Sequence, residues 1–268
     1  MHVAVHAASQ RRASWIVEQP YAHRGLWTAG LVPENSLAAF AAAARIGLGV
    51  ELDVRISADG DAVVFHDSTL ERMTRQRGAT SSRTAAELAE FELIGSRERI
   101  PLLTDALALL KDTPTLVELK VNAGVEGPLE RRVTAILEEH KGPAAVMSFN
   151  PATLTEMSRL SPETPRGLLC EAWRRAPLFP WSRRAAVRAF VAANGASFGP
   201  EPDFLACETG ALKHFGRPAA EAMRTPLLAW TVRTKAQLER ARLHADGVIF
   251  EALEPGLVRG QEEQLALV

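Results

Sequence analysis

Residues 22–67, AHRGLWTAGLVPENSLAAFAAAARIGLGVELDVRISADGDAVVFHD, bring His23, His66, Arg24 and the carboxylates Glu34, Glu51, Asp53 and Asp67 into one short stretch. The alternating runs Val50–Ile56 and Ala62–His66 flank Asp59-Gly60, a dipeptide favoured in two-residue type I′ turns, and predict a β-hairpin. Pairing outward from that turn sets Asp53 opposite His66 and Val54 opposite Phe65, and directly opposed residues share a face. Strand period two puts Glu51 on the face of Asp53. Two carboxylates and an imidazole then converge on one patch. Acids crowded in this way repel and are costly to bury unless a cation joins them. Oxygen ligands suit one hard divalent cation, magnesium, calcium or manganese, better than zinc. An E-x-D standing alone reads as a solvated strand face. Here Val50, Leu52, Val54 and Ile56 cover the opposite face of the same strand.

The elements that must position these groups follow a strand-then-helix rhythm. A first strand at Tyr21–His23 leads to a helical run, Leu37–Ile46, closed by Gly47 at its C-terminus. Beyond the hairpin, residues 68–100 are polar and arginine-rich and read as a small cap rather than a core element. Further strands are expected at Thr115–Lys120, Ala145–Ser148, Gly167–Leu169, Ala196–Phe198, Leu227–Val232 and Val248–Phe250. Helical patterns lie between most of them, including Leu129–His140, Ala152–Leu160 and Lys235–Leu243. With the first strand and the hairpin's outgoing strand, these predict eight parallel strands, a (β/α)8 TIM barrel over a single domain, 1–268. In such barrels chemistry sits at the C-terminal strand ends. The charged residues fall there: His23 and Arg24 end the first strand, Glu51 and Asp53 lie late in the second, and Glu118 and Lys120 end the third. Arg24 must lie where its strand opens into a loop.

Composition narrows the function. A chain of 268 residues, 47% hydrophobic, can bury a barrel-sized core. A formal net charge of −1 argues against a nucleic-acid binder. Cys170 and Cys207 have neither metal-type spacing nor a disulfide framework and read as small buried residues. The first twenty residues lack a signal-peptide core, and no apolar run approaches the roughly eighteen residues of a membrane span, so a cytoplasmic protein is expected. The stretch 171–188, EAWRRAPLFPWSRRAAVR, reads first as a solvated arginine-rich loop and second as a surface for weak contact with lipid head groups.

In combination, HRG, PENS ahead of a helix, E-x-D, the DG turn, VVFHD, ELK, SF, AWTVRT and DGVIF resemble the glycerophosphodiester phosphodiesterases over most of the chain. The resemblance implies a distorted barrel with a small inserted cap at about 68–100. It implies hydrolysis of glycerophosphodiesters, as small-molecule substrates, to glycerol 3-phosphate and an alcohol with one divalent ion and two histidines. It makes His23 and His66 the acid/base pair, Arg24 and Lys120 the phosphate contacts, and Glu51, Asp53 and Glu118 the metal ligands. Glu34 reads as a charge at the N-terminus of the first helix or, from the family's PEN context, as a contact with the site that orients Arg24. Asp67 reads as a partner of the site or a strand-end cap, and Trp230 as a wall of the glycerol pocket or a core residue. The last strand departs from the family pattern: DGVIFEALEP stands where an Asp commonly follows. Two other readings share the scaffold, a lysophospholipid or sugar phosphodiester hydrolase and a non-catalytic binding barrel. The second of these should have lost a histidine or a carboxylate, and none is lost.

Overall fold

A computed structural model describes residues 13–122, 124–171 and 202–260. Its strands are β1 (Tyr21–His23), β2 (Gly49–Ile56), β3 (Ala62–Val64), β4 (Thr115–Leu119), β5 (Ala144–Ser148), β6 (Arg166–Cys170), β7 (Phe204–Glu208), β8 (Leu227–Val232) and β9 (Gly247–Phe250). The order β1-β9-β8-β7-β6-β5-β4-β2, with β1 pairing β2, closes eight parallel strands into a barrel, and β3 runs antiparallel along the outer end of β2. The expected strand Ala196–Phe198 lies outside the described residues. The sixth barrel strand is Phe204–Glu208, which pairs with β6 on one side and β8 on the other.

Alternation along the strands builds two apolar layers. Inward-facing Tyr21, Leu116, Met147, Leu169, Phe204, Leu228 and Ile249 fill the barrel, and Ile16 of the preceding turn packs against them. Val50, Leu52, Val54, Val117, Val146, Leu168 and Leu205 face outward beneath the helices. The helix Leu37–Arg45 starts where the Ser36 hydroxyl accepts a hydrogen bond from the Ala39 amide, and Gly47, at φ +71°, lets the chain turn back toward β2. None of the described helices is long and apolar enough to cross a membrane.

The hairpin differs from its sequence reading by one residue. Its loop is Ala58–Gly60, closed by the Ser57 amide donating to the Asp61 carbonyl at 2.9 Å, with Gly60 alone in the left-handed region at φ +85°. That is a three-residue loop ending in a left-handed glycine rather than a type I′ turn, which needs positive φ at both central residues. Asp59 is held instead by side-chain bonds from the Ser57 hydroxyl (2.6 Å) and the Ala85 amide (2.9 Å). The register therefore pairs Val54 with Val64 and Arg55 with Val63. Asp53 stands opposite Phe65, whose amide donates to the Asp53 carbonyl, and not opposite His66.

Residues 68–100 form an excursion with its own small apolar cluster of Leu70, Ala85, Leu88, Leu93 and Ile100, seated on Val63 and Phe65. Its two ends meet: the Val64 amide donates to Pro101, and Val63 bridges Leu102.

Within the barrel wall, Gly167 of β6 lies flat against the Phe204 ring of β7, where a Cβ would collide with the ring. Over-packing of this kind costs about 1–3 kcal/mol. Gly167→Ala is therefore expected to lower the thermal unfolding midpoint by about 2–4 °C for each kcal/mol lost, read by calorimetry.

Candidate active site

The barrel register places the charges. His23 on β1 is the partner of Glu51 on β2, and Asp53 on β2 is the partner of Glu118 on β4, so three carboxylates and an imidazole share the inner face of three adjacent strands. Glu51 and Asp53 are fully buried, and Glu118 is 5% exposed. One oxygen from each of Glu51, Asp53 and Glu118 lies within 4.8 Å of the others.

The HRG turn does two things at once. Arg24 sits in the left-handed region at φ +58°, an unusual conformation for a residue with a side chain. Its amide thereby donates to Glu51 Oε2 at 3.0 Å, while its guanidinium reaches Glu34 Oε1 (2.8 Å) and Asp53 Oδ2 (3.2 Å). Gly25 must follow, because a Cβ there would meet Ala39 and the Phe40 ring at 2.8–2.9 Å. Asn35, also left-handed at φ +54°, donates to the Arg24 carbonyl through its amide, and its side chain donates to Asp53 Oδ2 at 2.8 Å. Just past β4, Lys120 Nζ lies 3.0 Å from Asp53 Oδ1 and 2.5 Å from Glu118 Oε1.

Three buried acids face two cations, and the excess negative charge shows in their proton affinities. Burial pushes Asp53 up, but Lys120 and Arg24 outweigh it and hold the carboxyl well below its usual range. Burial and the neighbouring Asp53 and Glu118 push Glu51 well above the ordinary value. Burial lifts Glu118 to about 7, with Lys120 opposing and Asp53 adding. Glu51 Oε1 is buried with no hydrogen-bond partner. An all-oxygen donor set with a surplus negative charge and an orphaned buried carboxylate oxygen fits a hard divalent cation.

Each histidine is backed by a carboxylate that an arginine holds in turn. His23 Nδ1 is 2.5 Å from Glu251 Oε2, and Glu251 pairs with Arg233. His66 Nδ1 is 2.7 Å from Asp67 Oδ1, and Asp67 pairs with Arg72. In both, the carboxylate engages Nδ1 and leaves Nε2 as the ring's other face. His66 reaches the site although the hairpin register does not put it opposite Asp53. β3 ends at Val64, Arg55 Nε donates to the His66 carbonyl at 2.8 Å, and Asp53 still acts electrostatically on the ring. Burial pushes the His66 imidazole below its ordinary value, against the pull of Asp53.

The site candidates His23, Arg24, Glu34, Glu51, Asp53, His66, Asp67, Glu118, Lys120 and Trp230 all fall at this end of the barrel. Glu34 is 8% exposed and holds Arg24; burial pushes it up, but Arg72 and Arg24 keep it below the usual range. Trp230 ties its indole N–H to the Ala206 carbonyl (2.8 Å) and meets Phe149 edge-on at 5.4 Å, while Lys120 Nζ lies 6.0 Å from the Phe149 ring centre. Sequence reasoning missed Asn35, Arg72, Phe149, Arg233 and Glu251. The strand-end rule was signal enough for Glu251, which directly follows β9. Beyond Glu171, the arginine- and tryptophan-rich stretch lies outside the described residues.

Residues 23–254 match the model of the glycerophosphoryl diester phosphodiesterase family, a span that runs from His23 past Glu251. A glycerophosphodiester phosphodiesterase of Caldanaerobacter subterraneus subsp. tengcongensis is 30% identical over 243 residues, covering 86% of this chain and 92% of the relative. A lysophospholipase D of Rattus norvegicus is 31% identical over 145 residues, 49% of this chain and 45% of the relative. Among solved structures, an Oleispira antarctica phosphodiesterase in complex with the product sn-glycerol 3-phosphate superposes with a TM-score of 0.71 at 26% identity, covering 89% of this chain and 94% of the other. Barrel, carboxylate trio and matches agree on the class, a barrel phosphodiesterase. The chain belongs to the glycerophosphoryl diester phosphodiesterase family.

Burial pushes Glu251 up, but the bonds from His23 and Arg233 bring it down to about 2, from an ordinary 4.5. A folded value below the unfolded one stabilises the protein above the unfolded value and loses that contribution as pH falls through the folded one. The stability difference between wild type and Glu251→Gln in urea titrations is therefore expected to be full near neutrality and to narrow from about pH 5 downward.

Proposed function

We propose that the protein hydrolyses glycerophosphodiesters to sn-glycerol 3-phosphate and an alcohol. The observation that carries the reading is the convergence of two carboxylate-backed histidines on a buried Glu51, Asp53 and Glu118 cluster with Arg24 and Lys120 beside it. Family membership and the relatives' activities support the same reaction. Glu51, Asp53 and Glu118 would hold one divalent cation, which would supply positive charge to the substrate's phosphate. Arg24 and Lys120 bind the same phosphate, Arg24 with its guanidinium fixed by Glu34. Residues 68–100 serve the site as an inserted cap, and the Phe149–Trp230 corner walls the glycerol side.

His23 and His66 move the protons. One imidazole takes the proton of the substrate's glycerol hydroxyl as that oxygen attacks phosphorus, and the other gives a proton to the departing alcohol oxygen. Water then opens the resulting cyclic phosphate with the proton traffic reversed. Glu251 and Asp67, each on a ring Nδ1, fix the tautomers and leave each Nε2 for these transfers.

His23→Ala and His66→Ala are each expected to lower turnover by about two orders of magnitude or more, and a near-normal rate in either variant would overturn that residue's role. The reaction itself is tested by release of glycerol 3-phosphate from glycerophosphocholine and glycerophosphoethanolamine. Release is expected to stop with chelator and to return with magnesium, calcium or manganese. If the diesters stay intact while the protein still binds the metal, the substrate is a lysophospholipid or a sugar phosphodiester, the first being the kind of activity named for the lysophospholipase D relative.

A further inference from the structure

Arg72 belongs to the excursion, not to the barrel, yet its guanidinium is bonded to the supports of two site residues. Nη1 and Nη2 donate to Glu34 Oε2 (3.1 Å) and Oε1 (2.6 Å), while Nε and Nη2 donate to Asp67 Oδ2 (2.5 Å) and Oδ1 (3.1 Å). The shared atoms matter. Glu34 Oε1 is also the oxygen that accepts from Arg24, and Asp67 Oδ1 is also the oxygen bonded to His66 Nδ1. A continuous chain of contacts therefore runs Arg24, Glu34, Arg72, Asp67, His66.

We propose that Arg72 is a positioning residue of the active site, a single fork that locks the phosphate-binding Arg24 and the proton-transferring His66 into one rigid unit. The inference rests on the roles given to Arg24 and His66 in the proposed function. Three physical points carry it. Without a cation between them, Glu34 and Asp67 would repel at this separation, and the residues they hold would spread with them. A planar guanidinium can bond two carboxylates at once with fixed geometry, which a lysine ammonium on its flexible stem does not reproduce. The backbone that presents Arg72 is itself fixed: Leu70 is buried in the excursion's apolar cluster, and the Thr74 hydroxyl and amide both bond the Leu70 carbonyl. The excursion thus supplies part of the catalytic geometry in addition to covering the site.

Among the described residues Arg72 donates to Glu34, Asp67 and Met73 Sδ and not to Glu51, Asp53 or Glu118, and its side chain is 46% exposed. Its loss should therefore change metal affinity and folding far less than turnover. Arg72→Ala is expected to lower kcat on glycerophosphocholine by about 10–100-fold and to raise KM, since small displacements of positioned groups cost on this scale. Manganese affinity, read by calorimetry, and the thermal midpoint should stay close to wild type. Arg72→Lys should recover only part of the rate, and added guanidinium ion should restore activity to Arg72→Ala where sodium does not. Combined with Asp67→Asn, Arg72→Ala should cost no more than the larger single effect, because both break one chain. Wild-type kinetics in Arg72→Ala, additive losses in the double variant, or a loss that follows manganese affinity would each overturn the proposal.

If the wild-type protein releases no glycerol 3-phosphate, the proposed function fails first, and imidazole 15N spectra decide the Arg72 bridge separately. The Nδ1 signal missing from His66→Ala must shift in Arg72→Ala while the His23 signal stays. An unmoved His66 signal would overturn the bridge.

Discussion

The mouth of this barrel depends on the management of buried negative charge around Asp53. That carboxylate is fully buried and meets Arg24, Lys120 and Asn35 at once. Charges are not left unpaired in such surroundings, so each partner is tightly constrained. Arg24 adopts a left-handed backbone to reach Asp53 with its side chain and Glu51 with its amide. Asn35 does likewise, and its own amide ties the PENS segment to the HRG turn. The lysine past β4 answers to the same requirement. Two cations do not balance the trio together with Glu34, and that imbalance is what the proposed divalent cation would offset.

A second arrangement recurs on either side of that centre. His23 has Glu251 and Arg233 behind it, and His66 has Asp67 and Arg72. The arginine keeps each carboxylate in place, and the carboxylate orients the ring. The two supports differ in origin. Glu251 and Arg233 follow consecutive barrel strands, β9 and β8, whereas Arg72 comes from the excursion. Glu251 also accounts for the departure seen in the last strand: a side chain one methylene longer than the aspartate expected there still delivers a carboxylate to His23.

The architecture was legible because strands with one face in the barrel and one under helices alternate cleanly, as Gly49–Ile56 does. The sixth strand escaped because FLACE carries an alanine, a cysteine and a terminal glutamate, a weak strand pattern that only its pairing on both sides makes evident. The hairpin register escaped for a different reason. Asp-Gly serves more than one loop type, and the choice here is set partly by the Ala85 amide, which bonds Asp59 from across the excursion. The residues to which the proposed function gives direct roles, namely His23, His66, Glu51, Asp53, Glu118, Arg24 and Lys120, stood out by type and strand position. Of those acting through others, Glu34 and Asp67 lie close in sequence to the residues they hold and were seen, whereas Glu251 stands at a strand end but its pairing with His23, 228 positions away, is made only by the closed barrel.

The excursion leaves and rejoins the barrel at almost the same point, with β3 and the Pro101–Leu102 segment bonded side by side. Such a gap is indifferent to the length and sequence of what spans it, so this is where relatives on the same barrel can exchange one segment for another and diverge without disturbing the strands. The freedom is bounded by a single atom group. On the Arg72 proposal, a replacement that keeps the full rate would still carry a guanidinium to the place where Glu34 and Asp67 meet, so a segment free in length would remain tied to the site by one side chain.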